Sequence, residues 1–228
     1  MPARTHASPP VREPKTPRIP RRLTPAGKVE RHIRHDGKYL SLEYGADTLS
    51  MDDPDGVEDV EFERCRFTQT VFSGLVLHRA GLADCAFSDA DLANLRAFNS
   101  RMFNVQIMNA RMTGMQLAES GLRDVLVEGC RADLTGFRFA HLRDVVFRDC
   151  NLTEATFQSA EMTGVRFENC RLGGAQFSGA EMRTVRFRGC DLRGVAGLDS
   201  FRGAIVASGD AMTLLDAFAA ELGITIED

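Results

Sequence analysis

Six cysteines and five histidines are the side chains of this 228-residue chain that could bind a metal or carry redox chemistry. Their spacing points elsewhere. Cys65 and Cys85 lie twenty residues apart, and Cys130, Cys150, Cys170 and Cys190 repeat that interval. Zinc sites use cysteine and histidine pairs only a few residues apart, and no such set is present. His32 and His35, at i and i+3, offer a weaker metal reading beside an aperiodic segment. A phosphate loop, a nucleophile elbow and a dinucleotide fingerprint are all missing. The chain therefore reads as a non-enzyme without a cofactor or metal.

An interval of twenty asks what element could place the cysteines. Counting in fives from Phe62 gives 27 positions up to Leu192, all large and apolar except Ala97 and Ala132. A second column, two residues before each, holds only Val, Cys, Thr, Leu, Ala, Ser and Met, and all six cysteines fall in it. Helices repeat at 3.6 and strands at 2, so a period of five needs a corner in every unit. Four corners close a square coil of twenty residues. Reading the small column at that period stacks like on like: Val105, Val125, Val145, Val165 and Val185 on one wall, Cys130 to Cys190 on the next. Such ladders are the mark of a solenoid. The cysteines sit where small core residues are needed, so they are expected to be reduced. Stacked neighbours ~4.8 Å apart are farther than the ~3.8 Å Cβ separation a disulfide prefers.

The motifs Ala90-Asp91-Leu92 and Cys190-Asp191-Leu192, with looser copies throughout, resemble those of the pentapeptide-repeat family. The resemblance covers about 60–197 and implies an all-β solenoid: a right-handed, quadrilateral, parallel β-helix with a short C-terminal α-helix cap. About seven coils give a rod of roughly 33 Å. Around 128–142, Ala132-Asp133-Leu134 and Phe139 also fit a repeat two residues out of register, so a local bulge there stands open as the alternative to the unbroken count.

Charge and proline divide the chain. Residues 1–38 hold seven of the eight prolines and a net charge of +7, and are expected to be disordered. Residues 39–59 carry seven acids and no base, and read as an acidic cap over the first coil. The repeats, 60–197, are net +1, and residues 198–228 are net −5. No run approaches the ~18 apolar residues of a membrane span, and no apolar signal core opens the chain; a cytoplasmic location is expected.

Two surfaces stand out. One wall carries Glu61, Glu63, Asp84, Asp124, Asp144, Glu161 and Glu181, with Asp84, Asn104, Asp124 and Asp144 stacked along an edge. This is a candidate partner-binding wall or a solvated face. At the C-terminus, Ser208 and Asp210 look like helix starters, and Leu214, Leu215, Phe218 and Leu222 form an apolar stripe extended by Ile224 and Ile226. That layout is similar to the C-terminus of the quinolone-resistance members of the family, in which it forms a homodimer; a cap on a monomer is the simpler reading. The resemblance implies a DNA mimic that binds DNA gyrase, a type II topoisomerase. The near-neutral repeats and basic tail depart from that pattern. The alternatives are a scaffold with another protein partner, its tail binding an acidic partner, and nucleic-acid binding through Lys15, Arg18, Arg21 and Arg22.

Overall fold

Every fifth residue must turn the chain, and one backbone conformation does so throughout. In the computed structural model, which describes residues 12–225, all 27 positions from Arg64 to Gly194 that follow a large core residue by two have positive φ. Eighteen of them are Gly, Asn or Asp, the residues that enter the left-handed region most easily. The other nine, Leu134, Phe139 and Thr184 among them, hold it at roughly 1–2 kcal/mol each.

Between corners run short parallel strands. One wall is built of Glu61–Glu63, Gly81–Ala83, Glu161–Thr163 and Glu181–Arg183, and the next of Arg66–Thr68, Ala86–Ser88, Arg166–Glu168 and Arg186–Arg188. In the three middle coils the two walls fuse into continuous strands, Arg101–Met108, Gly121–Glu128 and His141–Arg148. The register is twenty: Val125 lies over Val145, and Phe147 over Phe167 and then Phe187. The other two walls are held mostly by single bridges such as Arg131↔Asn151↔Arg171 and Gly136↔Thr156↔Gln176. The whole is a right-handed parallel β-solenoid of about nine turns with a short C-terminal helix.

Large residues fill the interior as stacks. Phe137, Phe157 and Phe177 form one column, with centroids 4.9 and 5.1 Å apart and planes within 6°. Phe147, Phe167 and Phe187 form a second, at 5.2 and 4.9 Å. The columns meet edge to face, Phe157 against Phe167 at 85°, the geometry the ring quadrupole favours. The small column does a second job. Cys130, Cys150, Cys170 and Cys190 donate their thiols to the carbonyls of Ile107, Val127, Phe147 and Phe167, 23 residues back, at 3.3–3.5 Å. Ser120 does the same to Ala97 at 2.9 Å. A small side chain with a donor thus serves a buried carbonyl of the previous coil.

Several expectations change. The repeat register passes through 128–142 without a bulge: Ala132 and Phe137 are buried, whereas Leu134 and Phe139 occupy corners and are about half exposed. The solenoid also starts earlier than residue 60. Residues 39–59 are a full turn, with Tyr39 paired to Phe62, Tyr44 to Phe67, Thr48 to Val71 and Val57 to Leu77. The offset falls from 23 to 20 at the last of these, because the 51–56 loop adds three residues; that insertion broke the period of five. Tyr44 replaces a core Phe, stacking on Phe67 at 4.8 Å while its hydroxyl donates to the Glu30 carbonyl. Thr24–Pro25 add a further strand against Leu42–Glu43. Residues 12–38, expected to be disordered, lie against the rod; residues 1–11 are outside the described residues.

At the other end the coil is closed by side chains. Asp210 is not a helix cap. Its Oδ2 accepts the Cys190 N–H at 2.8 Å, and Thr213 Oγ1 accepts that of Leu192 at 3.0 Å, which serves donors that a further coil would have met. Ala207 precedes helix α1 (Ser208–Ala211) without a side-chain cap bond. A 3-10 turn, Met212–Leu214, leads into α2 (Leu215–Leu222). Gly223 ends it at φ 68°, with Ile224 N–H bonded to the Ala219 carbonyl, a Schellman closure. Among the described residues, the segment after Gly223 is not a strand.

Two measurements test this architecture. Phe157→Asp buries a charge within a ring stack and is expected to exceed the ~3–5 kcal/mol of a Phe→Ala cavity, whereas the adjacent exposed Gln158→Ala should shift the melt by little. Equal losses in thermal melts of the two would reject the inward column. The six buried thiols should react slowly with a thiol reagent in the native protein and all six promptly in denaturant; fewer than six in unreduced, denatured protein would contradict a reduced core.

Candidate interaction surfaces

The acidic wall exists as a place but not as an acidic field. Glu61 lies 3.5 Å from Lys38, Glu63 3.1 Å from Arg64, and Glu161 3.2 Å from His141. Glu181 lies 3.3 Å from Arg183, and Asp144 3.9 Å from Arg143. Asp124 has three cations within 4 Å: Arg12, Lys15 and Arg123. Asp84 accepts from Asn104 Nδ2 and from the Arg18 N–H. The wall brings all seven predicted acids onto one side of the rod, and pairs five of them with a Lys or Arg side chain and Glu161 with an imidazole. Glu168, on the neighbouring wall, is likewise held, by Arg148 and Arg166 at 2.8 and 2.9 Å.

The predicted edge Asp84, Asn104, Asp124, Asp144 is real, and the left-handed corner explains it: each follows a large core residue (Leu82, Met102, Leu122, Leu142) by two and turns the chain between the two paired walls. Its burial was not legible. Asn104 and Asp124 are 2% and 1% exposed, because residues 12–20 cross above them. Glu13 is fixed by Arg166 at 2.9 Å and Arg148 at 3.3 Å. Burial opposes its charge, but the two guanidiniums outweigh that and hold its carboxyl below the usual range. Lys15 and Arg18, read as part of a free basic cluster, are engaged with the rod, whereas Arg21 and Arg22 stay exposed.

The candidate dimer stripe divides. Leu214 is buried against the last coil at 3% exposure, so it belongs to the cap's core rather than to a free face. Leu215, Phe218 and Ile224 are exposed, at 52%, 46% and 56%, and Met212 joins them at 71%. The side chain of Leu222 and the whole of Ile226 lie outside the described residues.

The remaining candidates are structural. His32 bridges Ser50 and Asp52 at 3.1 and 3.0 Å, and His35 Nδ1 accepts the Glu58 N–H. Both pin the acidic loop. Among the described residues no group of three or more His, Cys, Asp or Glu is placed to hold a metal ion. All six cysteines are free and buried, and apolar burial disfavours the thiolate and keeps reagents away. No helix among the described residues is long and apolar enough to cross a membrane.

Comparison with known proteins agrees with the fold. Residues 58–95 match the model of pentapeptide repeats and residues 132–196 that of a pentapeptide repeat region. No curated protein matches. Among solved structures, the chain is similar to HetL, a pentapeptide repeat protein involved in heterocyst differentiation regulation in the cyanobacterium Nostoc sp. The two share 18% identity over 77% of this chain and 91% of HetL, with a TM-score of 0.38. Full-length QnrB1, a plasmid-mediated fluoroquinolone resistance protein, gives 19% identity over 80% of this chain and 99% of that one, with a TM-score of 0.34. At such values the likeness carries no argument about function. The matched repeats, the unbroken register of five and the four-walled solenoid make this chain a member of the pentapeptide-repeat family.

Proposed function

We propose that the chain acts by binding rather than by catalysis, as a cytoplasmic rod that pairs end to end with a second copy and offers its walls to a protein partner. The observation that carries this is the apolar face of the cap. Met212, Leu215, Phe218 and Ile224 all face solvent at the end of the solenoid, while Leu214 and Ala219 already serve the cap's own packing. Apolar surface beyond what the cap buries calls for a cover. A two-fold axis through α2 supplies one, since each copy offers the same patch to the other. Two rods of about nine turns would then span roughly 80 Å at the strand spacing.

A second reading names the partner as DNA gyrase, with the rod taking the place of DNA. The row Asp84, Asp124, Asp144 and the length of a paired rod favour it, because a DNA mimic needs carboxylates in file where phosphates would lie. The cations beside these carboxylates rank it second.

Sedimentation decides the pairing. The wild-type protein is expected to be a dimer at micromolar concentration, and Phe218→Asp a folded monomer with an unchanged circular dichroism spectrum. A wild-type monomer at that concentration would remove the proposal. Gyrase supercoiling with and without ciprofloxacin tests the second reading: inhibition or protection lost in Phe218→Asp supports it, and no effect at tenfold excess of the rod ends it.

A further inference from the structure

The segment above the acidic edge has a period of its own. Residues 12–21 read Arg-Glu-Pro, Lys-Thr-Pro, Arg-Ile-Pro, Arg. Proline falls at 14, 17 and 20, and a cation at 12, 15, 18 and 21. The prolines are half-buried against the rod, while Arg12, Lys15 and Arg18 are exposed. Proline fixes its own φ and drives the preceding residue to extended geometry, and the segment belongs to neither helix nor strand. Such constraints favour polyproline II, with three residues per turn and ~3.1 Å rise. Each tripeptide then advances about 9.3 Å, close to the roughly 9.6 Å of two coils.

The contacts keep that step. The Arg18 N–H bonds Asp84 at 2.8 Å. Three residues back and two coils on, Lys15 Nζ lies 3.9 Å from Asp124 and 6.0 Å from the Phe103 ring centre. Three residues farther and about two coils on, the Arg12 carbonyl accepts from Arg166 at 3.4 Å. Under the strap lies a prepared floor. Val146 and Arg166 are outward-facing yet buried, and the buried Asn104 Oδ1 has no partner.

We infer that this edge, from Asp84 to Arg166, is a recognition groove for polyproline II segments of (Arg/Lys)-x-Pro tripeptides, and that residues 12–20 are its built-in ligand. The inference goes beyond pairing through the cap and does not depend on it. Prolines supply the pitch, the Arg18 main-chain N–H meets Asp84, the Arg12 and Lys15 cations meet Asp124 two coils on, and the Lys15 ammonium lies over the Phe103 ring. The strap's ion pairs, Arg12 and Lys15 to Asp124 and Glu13 to Arg148 and Arg166, each have an exposed strap partner and are individually weak; it holds because tethering gives it an effective concentration in the millimolar range. A competing segment in trans must present the same chemistry and outbid that tether.

The test uses the full chain and a labelled peptide of residues 12–22. In the variant Arg12→Ser, Glu13→Ser, Lys15→Ser the built-in ligand loses its ion pairs to the rod, and the peptide should bind at least tenfold more tightly than it binds wild type. Adding Asp84→Asn and Asp124→Asn should abolish that binding; Asn104 already occupies the same edge, so asparagine suits the corner. A scrambled peptide of identical composition should bind at least tenfold more weakly. Equal binding to wild type and strap variant, equal binding of the scrambled peptide, or no binding to the strap variant at low salt would each overturn the inference. The scrambled arm remains decisive if the aspartate variants lose their fold.

Discussion

The left-handed residue at every corner is the constraint from which the rest follows. It turns the chain in every unit of five, so each unit needs only one large and one small inward apolar residue. Because the corner recurs at five, the same side chain meets its like twenty residues later, and the core becomes a set of ladders. Gly, Asn and Asp meet the demand cheaply, and the nine other residues show that the stacked coils can impose it. Leu134 and Phe139 are the clearest case: the corner geometry holds two large apolar residues half exposed rather than surrender the register.

Each coil contacts only its neighbours, so the ends carry the unfilled demands. The C-terminal end borrows Asp210 and Thr213 to accept the last free donors, and lays Phe201 on Phe187 at 5.2 Å to close the ring column. The N-terminal end instead thins gradually. Tyr39 and Tyr44 stack on Phe62 and Phe67, with hydroxyls reaching the carbonyls of His32 and Glu30. An aromatic with a polar tip suits a site that is apolar on one side and close to water on the other.

What could be read from sequence was what repeats. The walls, the stacked Phe and Cys columns, the corner edge and the helical cap all follow from a fixed period. The first turn was hidden because three residues in the 51–56 loop shift Tyr39 and Tyr44 out of phase. The division of Leu214 from Leu215 was hidden because a 3-10 turn rotates the start of the stripe relative to α2. The strap was hidden for a different reason. Its order comes from the rod beneath it, and composition alone, rich in proline and cations, describes a segment with nothing of its own to bury. Even so, a signal was present in the recurrence of proline at 14, 17 and 20.

That recurrence couples two rulers. The rod can lengthen by duplicating a coil of twenty residues, and a solenoid accepts such insertions readily. Beneath the strap, however, a single added coil between Asp84 and Asp124 moves one carboxylate by about 4.8 Å, half a tripeptide step, and leaves Lys15 opposite a corner with no acid. Only a paired duplication, matched by one more (Arg/Lys)-x-Pro, would mesh again. Evolution of this segment is thereby geared: forty residues of rod to three of strap, in whole teeth.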